Sequence, residues 1–227
     1  MIDVTLIPIL SDNYAFLLED GNGDVAIVDP GEAEPIIAAL EQRNLKPDMI
    51  LITHYHGDHV AGLDELLAWH KCPVMGFNHD NISNFEFGGE EVQVIETPGH
   101  KRDHVSFYLP ESQLVFCGDT LFVMGCGRIL DGTAKELYAS LQKLACLPDD
   151  TQVYCGHEYT LSNAEFCVHA APDDAGITAR LIAVKEMRSN DQPTVPSTIA
   201  LEKETNVFLK AKSAAEFATL RSKKDNF

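Results

Sequence analysis

An α/β sandwich with helices on the outside, carrying a small mainly helical segment at its C-terminal end, is the fold the sequence predicts. Three observations predict it. Short apolar runs of strand length fall into two groups; helical patterns are interleaved with them; and after Pro172 the texture changes to polar, helix-forming sequence. The change of texture divides the 227 residues into a larger domain, 1–172, and a smaller one, 173–227.

VTLIPIL (4–10) and YAFLLED (14–20) read as strands, and the turn GNG leads into DVAIVDPG (24–31), a short strand ended by Asp-Pro-Gly. EAEPIIAALEQRNL fits a helix with Ile36, Ile37, Leu40 and Leu45 roughly on one face. DMILIT (48–53) is a buried-type strand, and residues 59–70 look helical. Strands follow at PVMGF, EVQVIET, HVSFYLP and QLVFCG. A helix is expected from Thr133 to Leu147, a strand at TQVYC, and another helix from about Leu161. QPTVPS (192–197) interrupts the polar helical sequence beyond Pro172. There is no internal repeat.

Composition narrows the function classes. A hydrophobic content of 45% with both charge signs present is that of a soluble globular protein, and no apolar run approaches the roughly 18 residues of a membrane span. The start, MIDVTLIPIL, lacks the basic lead of a secretory signal, so a cytoplasmic location is expected. Six cysteines without C-x-x-C spacing read as reduced and mostly buried. A formal net charge of −18 repels phosphate backbones and argues against a nucleic-acid partner. The charge is uneven. From Lys210 onward, Lys210, Lys212, Arg221, Lys223 and Lys224 stand against Glu216 and Asp225, which makes this stretch +3 and the remainder −21. A monomer is the expected state.

The chemistry concentrates in THYHGDH (53–59). His54 and His56 lie two apart at a strand end, where alternate side chains point the same way, so both imidazoles can reach one point. Asp58 and His59 follow where the chain turns into a helix. Left uncoordinated at a buried strand end, these polar groups would be costly; together they form a ligand set for zinc, iron or manganese. Three more strand ends carry ligand types: His100 in TPGH, Asp119 in CGDT and His157 in CGHEYT. In α/β folds, strand ends at one sheet edge are where side chains converge on a site.

With these segments in view, the chain resembles the glyoxalase II (hydroxyacylglutathione hydrolase) branch of the metallo-β-lactamase superfamily. The matching segments are DNYAFLL, VDPG, THYHGDH, TPGH, VFCGDTLFVMGCGR, YCGHEYT, PTVPST and LRSKKDNF, spread over nearly the whole chain. THYHGDH and CGDT mark the superfamily; GCGR, GHEYT and the C-terminal segment mark the branch. The resemblance implies a metallo-β-lactamase-like αββα sandwich with a small C-terminal helical domain. It also implies two divalent metal ions per chain, zinc foremost, with iron or manganese sharing the same ligand preferences. One ion would be held by His54, His56 and His100, the other by Asp58, His59 and His157, with Asp119 bridging them.

The implied activity is hydrolysis of S-D-lactoylglutathione and other S-2-hydroxyacylglutathiones to the hydroxy acid and glutathione, as in methylglyoxal detoxification. Such hydrolysis needs a strong nucleophile at neutral pH, and a metal can lower the pKa of bound water to about 7. Asp58 and Asp119 are the candidate catalytic carboxylates, orienting that nucleophile or relaying its proton. Glutathione is anionic, and the resemblance maps its contacts onto Tyr159, Arg221 and Lys224. Arg128 stands where animal relatives carry a lysine and Leu130 where they place a tyrosine. A second departure is HKRDH (100–104), in which His104 reads as structural, or as support that fixes a ligand's orientation, rather than as a ligand itself. His70, His79 and His169 have no ligand-like context. Asp29 has two open readings, a turn-former or a support for a ligand. Cys117 and Cys155, two residues before Asp119 and His157, read as packing. The rival function is that of another hydrolase of the superfamily, a lactonase or a thioesterase for a different acyl carrier, which would keep the metal ligands without needing Tyr159, Arg221 and Lys224.

Overall fold

The computed structural model describes residues 2–77 and 83–227, so His79 lies outside the described residues. The chain forms two compact units: residues 1–96 with 103–118, and residues 97–102 with 119–227.

In the first unit, strands β1 (Ile2–Ile9), β2 (Asn13–Asp20) and β3 (Val25–Val28) pair antiparallel. Helix α1 (Ala33–Arg43) then returns the chain to β4 (Met49–Ile52), which runs parallel to β3. The short helices α2 (Gly57–Val60) and α3 (Leu63–Trp69) lead to β5 (Val74–Gly76), parallel to β4. The five strands form one sheet in sequence order. Four further strands, β6 (Phe85–Phe87), β7 (Glu90–Glu96), β8 (Val105–Leu109) and β9 (Leu114–Gly118), make an antiparallel meander.

Strand periodicity explains the core. Ile7, Ile9, Ala15, Leu17, Val25, Ile27, Ile50 and Ile52 point to one face of the five-stranded sheet, where they cluster with Ala33, Ile36 and Leu40 of α1 and Leu66 of α3. The alternate residues point the other way. Phe16 meets Phe116 of β9 there, with ring centroids 5.4 Å apart, so the two groups of strands pack face to face. Both faces being covered, the strands read as continuous apolar runs rather than alternating ones. The expected face of α1 is observed for Ile36 and Leu40. Ile37 and Leu45, both partly buried, pack against the same cluster, and Leu45 also closes the helix: Asn44 takes the left-handed conformation (φ 56°), and the Leu45 N–H bonds the Leu40 carbonyl at 2.9 Å. The helix expected at 59–70 is broken at Gly62, whose N–H bonds the Pro30 carbonyl.

The second unit carries a two-residue-arm hairpin, β10 (Leu121–Phe122) and β11 (Gly125–Cys126), then α4 (Ala134–Ala145), β12 (Gln152–Cys155), α5 (Thr160–Ala170) and α6 (Ala175–Ser189). β13 (Ser197–Thr198), α7 (Ile199–Thr205) and α8 (Ala214–Asp225) complete it. The expected helix at 133–147 forms with Thr133 as its cap, the side chain accepting the Glu136 N–H. α4 packs on α8 and α5 on α6. The stacked rings of Phe166 and Phe208, and Phe217 edge-on to Phe208, fill the space among the helices. Residue 172, where the texture changes, lies between α5 and α6 and hence inside this unit. β6, β13 and the β10–β11 hairpin have no counterpart in the sequence reading. No helix among the described residues is long and apolar enough to cross a membrane.

Candidate metal centre and the cavity of the second unit

β4 ends at Ile52, and Thr53 to His59 carry the first cluster. His54 and His59 are buried, while His56 and Asp58 are partly exposed. His54 Nε2 lies 3.0 Å from His56 Nδ1, as the two-residue spacing predicts. Donor atoms of Asp29, His54 and His59 lie within 4.8 Å of one another.

The proton positions follow from the partners. Asp29 Oδ2 accepts the Thr53 hydroxyl at 2.6 Å and His59 Nδ1–H at 2.9 Å, and Asp29 Oδ1 accepts the Thr53 amide at 2.8 Å. The hydroxyl proton of Thr53 is thus committed, so at 3.1 Å its oxygen can only accept from His54 Nδ1–H. Both imidazoles are held as Nδ1–H tautomers with an Nε2 lone pair to offer, the arrangement that orients metal-binding histidines. Asp29 therefore orients the His59 imidazole directly and the His54 imidazole through Thr53. It is also a turn-former, since it sits at φ 51° with its carbonyl accepting the Gly31 N–H. Asp58 is oriented by Asn13, whose Nδ2 donates to Oδ2 at 3.0 Å, and His59 Nε2 stands 3.7 Å from the same oxygen. His104 is fully buried and stacks on His54, with centroids 4.8 Å apart. Gly118 closes in from the end of β9. It has φ 45°, and a Cβ there would come within 2.3 Å of Thr53 Oγ1, so no other residue fits.

In the second unit, Asp119 stands between two imidazoles. Its Oδ2 is 3.4 Å from His100 Nε2 and its Oδ1 3.4 Å from His157 Nε2, all three residues being buried. These distances are long for N–H···O hydrogen bonds, which lie at about 2.7–3.2 Å. They match the separation of about 3.4 Å between two ligands each some 2.0–2.1 Å from a tetrahedral ion. The donor set fits divalent metal, with the two carboxylate oxygens of Asp119 turned to different imidazoles. His100 Nδ1 donates to the Arg128 carbonyl at 2.8 Å, which turns its Nε2 toward Asp119. Gly127 lets this loop approach: a Cβ would lie 2.0 Å from the Asp119 carbonyl oxygen. The chain thus carries a His/Asp metal-binding cluster.

His100 and Asp119 also line a cavity of about 730 Å³ whose other walls include Phe122, Cys126, Arg128, Tyr159, Arg221 and Lys224. Arg128, Tyr159, Arg221 and Lys224, the four expected substrate contacts, all line this cavity. They differ in freedom. Arg128 is exposed, and the Tyr159 ring lies on His157. Lys224 donates to Ser162 O and Oγ, each at 2.8 Å, and burial, followed by the charge of Arg221, pushes its pKa below the usual lysine range. Arg221 is buried, and its guanidinium donates to the Cys126 carbonyl at 2.9 Å and to Asp225 Oδ1 at 2.9 and 3.1 Å. Leu130 is 60% exposed and donates its N–H to the His100 carbonyl, so its place is held by backbone. Arg102 is paired with Asp131 through its N–H and its Nε. The Cys155 thiol is pushed up to about 12 by burial, and Cys117 is fully buried, which bears out packing over catalysis.

Asn13 and Thr53 are the supports the sequence reading missed. The signal for both was adjacency to quoted motifs, Asn13 in DNYAFLL and Thr53 opening THYHGDH.

Residues 158–227 match the family described as hydroxyacylglutathione hydrolase C-terminus, and residues 10–83 and 73–157 match the metallo-beta-lactamase superfamily. A hydroxyacylglutathione hydrolase of Rhodopseudomonas palustris (strain HaA2) is 41% identical, the match covering 99% of this chain and 98% of the relative. The chain belongs to the hydroxyacylglutathione hydrolase family. A second family member, from Pectobacterium carotovorum subsp. carotovorum, is 43% identical over 97% of this chain and 98% of its own. Among solved structures, ETHE1 from Myxococcus xanthus superposes with a TM-score of 0.73 at 26% identity, over 98% of this chain and 90% of its own. TTHA1623 in a di-iron-bound form gives 0.67 at 27%, over 91% and 100%. The fold is the metallo-β-lactamase αββα sandwich with a C-terminal helical region, as expected for a hydroxyacylglutathione hydrolase.

Proposed function

We propose that the chain hydrolyses S-D-lactoylglutathione, and S-2-hydroxyacylglutathiones generally, to the free hydroxy acid and glutathione. The observation that carries this reading is the shared cavity: His100 and Asp119 line the same space as Arg128, Tyr159, Arg221 and Lys224. In a chain of net charge −18, this cavity sets Arg128, Arg221 and Lys224 against Asp119, Glu165 and Asp225, a local balance far less negative than the whole chain, which suits an anionic peptide handle, and the expected metal ligands on its wall put the reactive centre beside it.

In this reading residues 1–172 supply the ligands, and residues 173–227 form a substrate-binding domain contributing Arg221 and Lys224. His54, His56 and His100 would hold one ion, Asp58, His59 and His157 the other, with Asp119 shared between them. The 3.0 Å approach of His54 to His56 supports the first set, and the two 3.4 Å contacts of Asp119 support the bridge. Zinc is the expected ion, with iron and manganese satisfying the same ligands. Divalent metal held there supplies water activation near neutral pH and Lewis acidity toward a carbonyl oxygen. Asp58, fixed by Asn13, and Asp119 would orient the attacking water or relay its proton. Arg128, Tyr159, Arg221 and Lys224 bind the peptide so that the thioester carbon faces the ligand wall, and the thiolate departs as the acid forms. The six free cysteines fit the cytoplasm, where glutathione is kept reduced, and a monomer suffices because one chain carries every ligand and contact named.

The test is thioester loss from S-D-lactoylglutathione by freshly purified protein, with metals quantified on the same sample. Fast turnover with about two metals per chain supports the reading; no turnover with the metals bound would move the substrate elsewhere.

A further inference from the structure

The hairpin β10–β11 joins Asp119 to Arg128, and it is a sheet of two strands only, with two residues in each. An isolated ribbon of that size does not hold itself in water. Here distant side chains hold it. Glu202, fully buried in α7, accepts the Met124 N–H through Oε2 at 2.8 Å. Asn206, also fully buried, donates its Nδ2 to the Gly125 carbonyl at 2.9 Å and the Phe122 carbonyl at 3.3 Å, as well as to Glu202 Oε2 at 2.9 Å. Asn163 Nδ2 and Cys167 Sγ take the carbonyls of Val123 and Met124. Met124 sits at φ 56°, a conformation a residue of its type rarely keeps unless its surroundings impose it. Glu202 is itself held on its other oxygen by Arg180 Nη2 and Ser197 Oγ, each at 2.6 Å. Ser197 belongs to the PTVPST segment, which is thereby tied through Glu202 to the hairpin.

What the hairpin carries explains why so many buried polar groups converge on it. Phe122 and Cys126, one on each arm, are walls of the cavity, and Arg128 follows two residues later. The Cys126 carbonyl is the one that receives Arg221. We infer that Glu202 and Asn206 are positioning residues for the glutathione pocket: they fix the hairpin so that the Phe122, Cys126 and Arg128 wall meets the ligand, without touching the ligand or the metal. The inference rests on the proposed glutathione thioester function. It separates Glu202 and Asn206 from a merely structural pair by where their loss is felt, in substrate binding rather than in metal content or turnover at saturation.

The experiment compares the metal-loaded parent with Asn206→Ala and with Glu202→Gln, which keeps shape but turns a donor toward either Met124 N–H or Arg180. Three quantities are measured: the Kd for glutathione by calorimetry, kcat and KM for S-D-lactoylglutathione, and amide exchange of the peptide covering residues 121–128. Each variant is expected to raise Kd and KM about five- to tenfold, the loss of roughly one buried hydrogen bond, with kcat within about twofold. Metal per chain stays at the parent level, and exchange in 121–128 speeds up. A folded variant that binds glutathione as tightly as the parent would overturn the inference while the function stands. So would one that loses kcat and metal with KM unmoved. A parent that binds no glutathione would overturn the reading of the pocket and the inference with it. If Asn206→Ala does not fold, Glu202→Gln decides by the same criteria.

Discussion

The ring of Tyr159 lies flat on the ring of His157, with centroids 4.5 Å apart and planes 8° from parallel. One residue of the proposed glutathione pocket is thus packed against one proposed metal ligand, and Phe122 meets both rings edge-on. Tyr159→Phe keeps this stack and removes the hydroxyl. KM should rise about three- to tenfold with kcat nearly unchanged, the signature of a lost uniform binding contact. Tyr159→Leu removes the stack as well and should also lower metal occupancy. Steady-state kinetics with metal analysis checks both, and an unchanged KM in Tyr159→Phe would remove the hydroxyl from the binding set.

Asp119 turns one oxygen to His100 and the other to His157. Asp119→Ala should therefore lose metal and nearly all activity. Elemental analysis and turnover measured on one preparation give the answer, and a variant retaining about two metals and normal turnover would end the bridging assignment.

Asp29 accepts the Thr53 amide, the Thr53 hydroxyl and His59 Nδ1–H. Asn in its place has one accepting oxygen and turns an NH₂ group toward donors. Metal affinity, followed by chelator competition, should fall about 10- to 100-fold with the ligands all present. Equal affinity in the variant would reduce Asp29 to a turn residue.

Lys224 and Arg221 should be separable. Lys224→Ala should raise KM with little change in kcat, because it touches the part of the substrate remote from the thioester. Its charge is lost as pH rises through its pKa, and that pKa lies below the ordinary lysine value of about 10.4. KM should accordingly climb on an alkaline limb below that value, and Lys224→Arg should abolish the limb. Arg221→Ala should raise KM too, but it also strips the Cys126 carbonyl and Asp225 of their donor, so stability should drop by about 1–3 kcal/mol. A pH-independent KM across the alkaline range would take Lys224 out of binding.

Legibility in the sequence tracked locality. The helix-facing positions Ile36 and Leu40 and the doubly buried strands β2 to β4 were readable, because period and apolar continuity are properties of neighbouring residues. The pairing of His54 with His56 was readable for the same reason, since a spacing of two in extended chain fixes it. Contacts between distant residues were not. Asn13 reaches Asp58 across 45 positions, and Asp29 reaches His59 across 30. The β10–β11 hairpin escaped because two-residue strands carry no period, and what stabilises them, Glu202 and Asn206, lies about 80 residues onward. Arg221 was legible as a charge but not as a bracket for a carbonyl, because burial of a guanidinium is set by the helix it lands on.

The buried thiols have a consequence for durability. A hydroxyacylglutathione hydrolase releases a thiol at every turnover, and that thiol's oxidised dimer is a disulfide. Exchange with a disulfide requires a thiolate that the partner can reach. Burial pushes Cys126 to about 11 and Cys155 and Cys167 to about 12. At neutral pH their thiolate fractions are on the order of one in ten thousand or less. Cys126 lines the cavity assigned above to the substrate, and there burial outweighs the neighbouring guanidinium in setting its thiol pKa. A thiol held that way is a poor partner for disulfide exchange at the cavity wall, and the more accessible sulfurs, exposed Cys146 and partly exposed Cys72, lie away from that wall.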